Sequence, residues 1–353
     1  MKAAIVAAGG IAYVHLKGIQ RYPGAKVVGI VDKYITKAET LGALCGNPNV
    51  YTDLEEMLEK EKPDVVHICA PPRLHYPMAK TVVEHKVNVL VEKPFTLYSE
   101  EARDLYATAE KNGVMVCGMH NHLFDKAMLK VREIVKSGEI GEVVSVDSYY
   151  GFNLGGEKSK YNVDDTVHWV FNIFGGHFSN IGPHATYMAL EFLGNEVDVD
   201  AMATRMGKDK KGLPDELRMM LKNKNNQLGY VTVSLNASPY LHYLNVYGTK
   251  KIIQYDIANW YFNIKALNPK FPNAVARAWN NIQVGFNTIA ATTSATVRSL
   301  TGRLTHYDGM WELIRQYYQA IENGTEPPVT KDQVIATVAT LENAFHQIEE
   351  GEK

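Results

Sequence analysis

The sequence contains little cysteine and no long apolar run. Its 353 residues include only three cysteines, too few and too scattered to predict a disulfide framework or a zinc site, so we expect reduced thiols and a cytoplasmic protein. No stretch approaches the ~20 apolar residues of a membrane-spanning helix, which argues against stable membrane insertion. The apolar residues after Met1 are interrupted at Gly9 and Gly10, which argues against a signal peptide.

The sequence also lacks a strong net charge. Lysine and arginine number 37 against 39 aspartates and glutamates, giving a formal net charge of −2. A nucleic-acid-binding protein needs a concentrated basic surface, so this balance argues against that class. The 46% of hydrophobic residues is typical of a globular protein, and the length favours two domains.

Apolar runs and helical stretches alternate through the first 120 residues. Helices of about 10–15 residues between parallel strands are typical of right-handed βαβ units, so this pattern predicts an α/β domain with a doubly wound parallel sheet. The predicted strands are 2–8, 26–32, 64–70, 88–91 and 114–117, and the predicted helices are 11–21, 35–45, 53–60, 78–85 and 99–112. Asp53 is the expected N-cap of the third helix.

The pattern changes after residue 123. A helix is predicted over 127–137, and further strands are predicted over 143–150, 217–222, 229–235 and 244–248. In 143–150 and 229–235, apolar and polar residues alternate, as in antiparallel strands with one face toward water. We therefore expect residues 1–122 to form the first domain. Residues 123–353 should form an α+β domain built on an open, mostly antiparallel sheet.

The segment 257–307 contains no acidic residue, whereas it has five basic ones: Lys265, Lys270, Arg277, Arg298 and Arg303. Within it, apolar residues recur at spacings of four and three, which predicts one face of a helix: Val275, Trp279, Ile282, Phe286 and Ile289. We interpret this as a helix packed on its own domain or on another subunit. The alternative is a basic amphipathic surface for anionic substrates or lipid head groups.

The turn after the first predicted strand resembles a dinucleotide-binding turn. Gly9 would let a pyrophosphate approach the backbone, and the start of the following helix would stabilise its charge, although Ala7 replaces the first glycine of the pattern. Asp32 lies about 20 residues further on, at the end of the second strand, where a carboxylate accepts hydrogen bonds from ribose hydroxyls. An acid there favours NAD over NADP, and the adjacent Lys33 weakens that preference.

Two other regions carry residues suited to chemistry. Lys93 follows a predicted parallel strand between Glu92 and Pro94, and it should face the crevice beyond the strand ends, where it could bind a substrate oxygen. His177, Asn180 and His184 lie partly on one face of a helix predicted to begin near Gly176. A histidine is a natural general base for an alcohol proton, and no carboxylate or cysteine accompanies the pair, so no metal is expected.

These elements together resemble the Gfo/Idh/MocA family of NAD(P)-dependent oxidoreductases over nearly the whole chain. The matching motifs are Ile11-Ala12 with His15, Pro71-Pro72 with His75, Glu92-Lys93-Pro94, and Gly175-Gly176 followed by Asn180, Gly182 and His184. Three departures are Asn180 in place of aspartate, Ala7 in place of glycine, and Trp169-Val170 in place of Trp-Arg.

The resemblance implies a Rossmann domain followed by a substrate-binding and oligomerisation domain. It implies hydride transfer between NAD and a secondary alcohol or ketone of a sugar, cyclitol or sugar derivative, in a homodimer or homotetramer. Lys93 would orient the reacting oxygen, and His184 would be the general base or acid. The implied cofactor-binding residues are Gly9, Gly10, Ile11, Ala12, Asp32, Pro72, His75, Glu92 and Lys93, and the implied substrate residues are Asn121, Tyr149, His177, Asn180 and His184.

Two alternatives to a dehydrogenase stay open. The first is an enzyme with tightly bound NAD in which transient oxidation drives a redox-neutral elimination, hydrolysis or epimerisation. The second is a non-catalytic NAD-binding sensor. The presence of both Lys93 and His184 argues against the sensor.

Overall fold

The computed structural model describes residues 1–154, 169–207, 213–266, 271–302 and 304–351. The chain folds into two compact units. The first comprises Met1–Asn121 and Gly309–Ala339, and the second comprises His122–Asp308 and Thr340–Lys353.

The first unit is built on a six-stranded parallel sheet in the order β3-β2-β1-β4-β5-β6. This topology confirms the predicted doubly wound sheet. The short edge strand β3 has only three residues and was not expected from the sequence. The strands are β1 (Lys2–Val6), β2 (Lys26–Val31), β3 (Asn49–Tyr51), β4 (Val65–Ile68), β5 (Asn88–Val91) and β6 (Val116–Gly118).

Helices connect these strands, and each buries one apolar face against the sheet. Asp53 precedes the third helix and its carboxylate accepts a hydrogen bond from the Glu56 backbone N–H at 2.8 Å, a cap that the sequence predicts. The helices are α1 (Gly10–Arg21), α2 (Ile35–Gly42), α3 (Leu54–Glu61), α4 (His75–Glu84) and α5 (Ser99–Asn112).

The chain returns to the first unit after the second sheet. Helix α9 (Asp308–Asn323) carries the fully buried Tyr317, whose hydroxyl donates to the backbone carbonyls of Val89 and Met115. This contact fixes α9 against β5 and the residue before β6. No pattern in the first 120 residues predicts that a distant helix completes their packing.

The second unit is built on a seven-stranded sheet in the order β13-β12-β11-β7-β10-β9-β8. Helix α7 packs across β7 and β10 on one face of this sheet. The strands are β7 (Val143–Gly151), β8 (Val197–Thr204), β9 (Glu216–Asn223), β10 (Leu228–Ser234), β11 (Leu241–Gly248), β12 (Lys251–Asp256) and β13 (Tyr261–Ala266). The helices are α6 (Lys126–Lys136), α7 (Gly176–Leu193), α8 (Asn273–Leu300) and α10 (Lys331–Gly351), of which Lys331–Ala339 belongs to the first unit.

The sheet is mostly antiparallel, as predicted, but one pair of strands differs. β7 and β10, both expected to be antiparallel strands, run parallel to each other. Neighbouring parallel strands need a crossover connection, and here α7, β8 and β9 lie between them in the chain. The alternation of apolar and polar residues indicates a strand with one exposed face. It does not indicate whether the neighbouring strand runs parallel or antiparallel, so it could not predict the pairing of β7 with β10.

The acid-free segment forms β13 and the 28-residue helix α8. Lys270 and Arg303 lie outside the described residues. The predicted apolar face of the helix does not pack on its own sheet; Phe286 is 73% exposed and Ile289 is 68% exposed. Within the described ranges, no helix is both long and apolar enough to cross a membrane.

Candidate functional site

The glycine turn after β1 leaves backbone groups open at the start of a helix. Gly9 is extended, and α1 begins at Gly10. Its first turn contains no acidic residue, and no side chain in the described part of the chain caps it. Among the described residues, no heavy atom lies within 4 Å of a Cβ placed at either glycine, so these residues leave open space beside the turn. Ala12 is fully buried, which allows close packing of α1 on the sheet. An open turn with uncapped N–H groups fits the pyrophosphate of a dinucleotide.

Ala7 occupies the position of the missing first glycine, and its backbone still adopts the conformation that glycine favours. Its φ is +68°, in the left-handed region. An alanine in this region is destabilised by about 1 kcal/mol. The turn therefore keeps its shape despite the substitution, at a cost in stability.

Asp32 is held at the carboxyl end of β2 by two backbone N–H groups. Ala8 donates to Oδ2 at 2.8 Å and Tyr34 donates to Oδ1 at 2.9 Å. Each oxygen keeps a lone pair, so the carboxylate can still accept hydrogen bonds from a ribose. Two lysines lie near the Tyr34 ring, with Lys33 Nζ 4.6 Å and Lys37 Nζ 5.1 Å from its centroid.

Glu92 and Lys93 follow β5 as predicted. The buried Glu92 uses Oε2 to accept the Lys93 backbone N–H at 3.0 Å, which anchors the chain at the lysine. Burial opposes ionisation of Glu92, but its contact with His15 and the charge of Lys93 outweigh this effect and lower its pKa. Burial lowers the pKa of Lys93, and the Glu92 charge acts in the opposite direction. A lysine with a lowered pKa releases a proton more readily.

A buried hydrogen-bonded chain leads away from Glu92. His15 Nε2 lies 3.0 Å from Glu92 Oε1, His15 Nδ1 lies 2.7 Å from His67 Nδ1, and His67 Nε2 lies 2.8 Å from the Tyr318 hydroxyl. Burial and the charge of His15 lower the pKa of His67 well below its usual value. One set of neutral tautomers satisfies every contact: Tyr318 donates to His67, His67 to His15, and His15 to Glu92.

Pro72 and His75, both predicted to bind cofactor, are buried after β4. The two ring nitrogens of His75 each lie 2.7 Å from a backbone carbonyl, those of Pro94 and Ala70. Since a neutral imidazole has one N–H, it donates to one of these carbonyls at a time. Burial lowers the pKa of His75, against the effect of the two carbonyls. His75 therefore connects the loop after β4 to the segment that carries Lys93.

Two glycines begin the helix that carries the predicted histidines. Gly175 has φ +71°, and a Cβ there would lie 2.3 Å from the Phe345 ring, so only glycine fits. His177 and Asn180 are buried within α7, and the His177 ring contacts Phe171 edge-to-face at 5.0 Å. Because one helical turn separates Asn180 from His184, the two lie on the same side of α7.

His184 is half-buried, and Tyr187 is its hydrogen-bond partner one turn further along α7. His184 Nδ1 lies 2.9 Å from the Tyr187 hydroxyl, which also accepts the backbone N–H of His122 at 3.2 Å. The His122 ring lies 5.0 Å from the His184 ring and its Nδ1 is 2.8 Å from Asp125 Oδ2. A hydroxyl both donates and accepts, so Tyr187 can support either tautomer of His184.

Tyr150, not the predicted Tyr149, lies beside His184. The Tyr150 ring stacks on the His184 ring at 5.7 Å and 15°, on the face of the sheet that α7 covers. Tyr149 stacks on its cross-strand neighbour Tyr243 on the other face. Side chains alternate along a strand, so a shift of one residue changes the face.

His242 of β11 joins this group of rings and was missed by the sequence analysis. It is fully buried, 4.9 Å from the His122 ring and 4.5 Å from the Tyr150 ring. Within the described part of the chain, neither of its ring nitrogens has a hydrogen-bond partner. Burial and the charge of His122 lower the pKa of His242 well below its usual value.

Two further predicted positions lie at the start of short helical segments. Ile11 lies in the first turn of α1, and Asn121 begins a short 3-10 turn, Asn121–Phe124, that ends before α6. Of the residues that prediction missed, Tyr187 had a usable signal, its helical spacing of three from His184. Among the described residues, no group of three or more His, Cys, Asp or Glu side chains could hold a metal ion.

Two models of known protein families match this chain. Residues 1–120 match the oxidoreductase family with an NAD-binding Rossmann fold, and residues 128–254 match the GFO/IDH/MocA C-terminal domain. Together the two ranges cover well over half of the chain. The protein therefore belongs to the Gfo/Idh/MocA family of oxidoreductases, as the motifs predict.

Individual proteins share only a limited part of their sequence with this chain. The chain is 26% identical over 314 residues to the uncharacterized oxidoreductase YhhX of Escherichia coli K12, covering 88% of this chain and 86% of YhhX. It is 33% identical over 144 residues to D-glucoside 3-dehydrogenase of the same organism, covering 40% and 41% of the two chains. The structure of the WlbA dehydrogenase from Bordetella pertussis, in complex with NADH and UDP-GlcNAcA, superposes with a TM-score of 0.78 at 18% identity, covering 99% and 96%. This last similarity shows the fold alone.

Proposed function

We propose that this oxidoreductase transfers a hydride between NAD and a secondary alcohol or ketone of a sugar, a cyclitol or a sugar derivative. The observation that carries the proposal is the pairing of a half-buried His184 with a hydroxyl, Tyr187, that can support both its base and its acid form. The D-glucoside 3-dehydrogenase similarity supports a sugar hydroxyl as the reacting group. NAD, when bound, supplies the hydride acceptor.

In this proposal residues 1–122 bind the cofactor and residues 123–353 bind the substrate. The Gly9–Gly10 turn, with Ile11 and Ala12 at the start of α1, would hold the pyrophosphate, and Asp32 would bind the ribose. Pro72, His75 and Glu92 would act by fixing the backbone beneath the cofactor, because their side chains are buried.

Lys93 would donate a hydrogen bond to the reacting oxygen. Its lowered pKa would help it share a proton with that oxygen. His184 would remove the hydroxyl proton in oxidation and return it in reduction, with Nδ1–H directed at Tyr187 in the base form. Asn180 cannot ionise, so it would orient the neighbouring side chains by hydrogen bonding only. Tyr150 replaces Tyr149 as our candidate for the substrate wall, and Asn121 and His177 remain candidates for substrate binding.

NAD is proposed over NADP because the two N–H groups that bind Asp32 fix a negative charge at the ribose position. A 2′-phosphate there would be repelled. Asp32→Ala should therefore weaken NAD binding at least tenfold, while NADP binding stays the same or improves because Lys33 and Lys37 are close. Fluorescence titration with both nucleotides measures this. Equal weakening of both would exclude Asp32 from the ribose site.

The first experiment tests the reaction itself. Nucleotide released from the denatured protein is identified by mass, and reduced nicotinamide is then followed by absorbance with added NAD and a panel of sugars and cyclitols. Turnover with free NAD would support the dehydrogenase and identify the substrate class. Tightly held NAD without net reduction would favour a redox-neutral reaction. Binding of NAD with no chemistry in any assay would indicate a sensor, and no binding would refute the proposal.

Two expectations accompany it. The three cysteines are free thiols, in keeping with the cytoplasmic location that we propose. We propose a sugar-like small molecule as the substrate. From the family, we propose that the chain forms a homodimer or homotetramer.

A further inference from the structure

Helix α8 exposes large apolar side chains along one side. Between Val275 and Leu300 this side is about 38 Å long. Such a continuous apolar surface is unusual on a monomer and marks an interaction site. Its members are each about half exposed or more: Val275, Trp279, Ile282, Phe286, Ile289, Val297 and Leu300.

The opposite, polar side of α8 attaches the helix to its own sheet. Asn280 Nδ2 donates to the Ala266 carbonyl at 2.8 Å, and Asn287 Nδ2 donates to the Phe262 carbonyl at 2.8 Å. Ala276 and Ala295 are the buried residues of the helix. These contacts fix the rotation of α8 about its axis, so its apolar side is held outward.

The apolar side has the seven-residue repeat of a coiled coil. The intervals from Val275 through Trp279, Ile282, Phe286 and Ile289 are four, three, four and three, and the repeat continues to Leu300 through Thr293 and Thr296. Five consecutive apolar positions with this spacing span about two heptads, from 275 to 289, and such spacing is typical of a helix that packs against another helix. The residue directly before every second member of the repeat has a small side chain: Ala278, Gly285, Thr292 and Ser299.

The repeat is also complementary to itself in the antiparallel direction. With a twofold axis between Asn287 and Thr288, Val275 lies opposite Leu300, Ile282 opposite Thr293, and Phe286 opposite Ile289. A surface that pairs with itself in this way forms a closed dimer contact.

We propose that α8 pairs antiparallel with α8 of a second copy of this chain. Seven side chains, each exposing on the order of 100 Å² of apolar surface, approach the roughly 800 Å² per partner of a stable interface. The charges permit the contact, because the two arginines of α8 lie away from its apolar side. They are spaced by multiples of seven residues from Val284 and Ala291 and so lie on the same side of the helix as these two: Arg277 and Arg298. A lipid-binding helix would instead carry a strongly basic polar face, whereas α8 has only these two basic residues.

The first test is the mass of the full-length protein by sedimentation and light scattering. Phe286→Glu places a charge beside the axis in both copies and should raise the dissociation constant roughly a hundredfold or more, halving the mass of the assembly. The matched control is Asn281→Glu, which adds the same charge at an exposed position off the repeat and should leave the mass unchanged. Circular dichroism checks that both variants are folded. A monomeric wild type, or an unchanged mass for Phe286→Glu, would overturn the proposal.

The second test uses cysteines to establish the direction of pairing. It is done in a Cys45→Ser background because Cys45, unlike the two other native cysteines, is not buried. Antiparallel pairing places residue 282 opposite residue 293 of the other copy. Ile282→Cys and Thr293→Cys should therefore form a disulfide dimer when mixed under mild oxidation, while neither variant forms one alone. Cross-linking of each variant with itself would indicate parallel pairing and overturn the geometry. Binding of a monomeric wild type to phosphatidylserine vesicles, lost in Phe286→Glu, would assign the surface to lipid and overturn the dimer.

Discussion

Two groups of histidines, one in each unit, lie in different environments. In the first unit, His15, His67 and His75 are buried, and every ring nitrogen faces a hydrogen-bonding partner within the unit. In the second, His122 and His184 are half-buried, and their rings lie 5.0 Å apart in an edge-to-face contact. The comparison shows that residue type alone does not identify a catalytic group. A histidine whose nitrogens are both used by the protein has little capacity left for a substrate.

The largest effect that we expect is at His184, and it would sharpen this contrast. His184→Gln removes the proposed general base and should lower kcat by roughly 10²–10⁴-fold with the substrate found in the panel, while the melting temperature changes little. Steady-state kinetics and thermal unfolding measure the two effects. Tyr187→Phe is the matched control because it keeps the ring and removes only the hydroxyl, so its loss should be about tenfold. Activity of His184→Gln within threefold of wild type would exclude the proposed role.

His67 should show the reverse behaviour. His67→Phe leaves the Tyr318 hydroxyl and His15 Nδ1 buried without their partner, which should lower the free energy of unfolding by about 2–4 kcal/mol. The kcat of the folded enzyme should not change. Urea unfolding and kinetics on the same samples test both statements.

A double variant provides the control for His67. Tyr318→Phe removes one end of the same contact and should cost about 1–2 kcal/mol, and combining it with His67→Phe should cost less than the sum. Additive losses of unfolding free energy in the double variant, or a fall in kcat of more than tenfold in His67→Phe, would contradict the structural role that we assign to His67.

The buried neutral histidines also predict how stability depends on pH. Burial lowers the pKa of His67, His75 and His242, and lowers that of His120 to about 3. In the unfolded chain these groups take up protons near pH 6.5. The unfolded state therefore binds more protons below this pH, and stability should fall as the pH drops from 6.5 to 5, by up to about 1.4 kcal/mol per pH unit for each histidine.

This dependence should differ between the units. Three of these four histidines, all except His242, belong to the first unit. Hydrogen exchange followed by mass spectrometry between pH 5 and 7.5, corrected for the intrinsic exchange rate, should show the first unit losing protection more steeply. A flat profile in the first unit, or a steeper one in the second, would contradict the burial argument.

The sequence was most informative where a feature is local. The alternation of strands and helices, the cap at Asp53 and the Glu92-Lys93-Pro94 motif can each be read within a few residues, and the structure has them as predicted. The family could be predicted for the same reason. Its motifs combine turn geometry and residue chemistry over short spans.

Features that depend on distant partners could not be predicted in this way. His67 gives no sign of Tyr318, which lies 251 residues away, and His242 gives no sign of His122. The prediction of Tyr149 rather than Tyr150 has a different cause, since a shift of one position along a strand decides which face of the sheet a side chain occupies. The apolar side of α8 was correctly predicted as one helical face, but its exposure depends on which side the asparagines attach to the sheet.

The smallest expected effect concerns the backbone rather than a side chain, and it separates stability from chemistry within the first unit. Ala7→Gly relieves the left-handed strain at φ +68° and should raise the free energy of unfolding by roughly 0.5–1 kcal/mol. Ala8→Gly is the control: Ala8 does not have a positive φ, so the added chain entropy should destabilise it by about 0.5 kcal/mol. Urea unfolding compares the two variants. Because alanine at φ +68° already keeps the shape that glycine favours in this turn, kcat should stay unchanged in Ala7→Gly. Destabilisation by Ala7→Gly would mean that the turn does not hold this residue under strain.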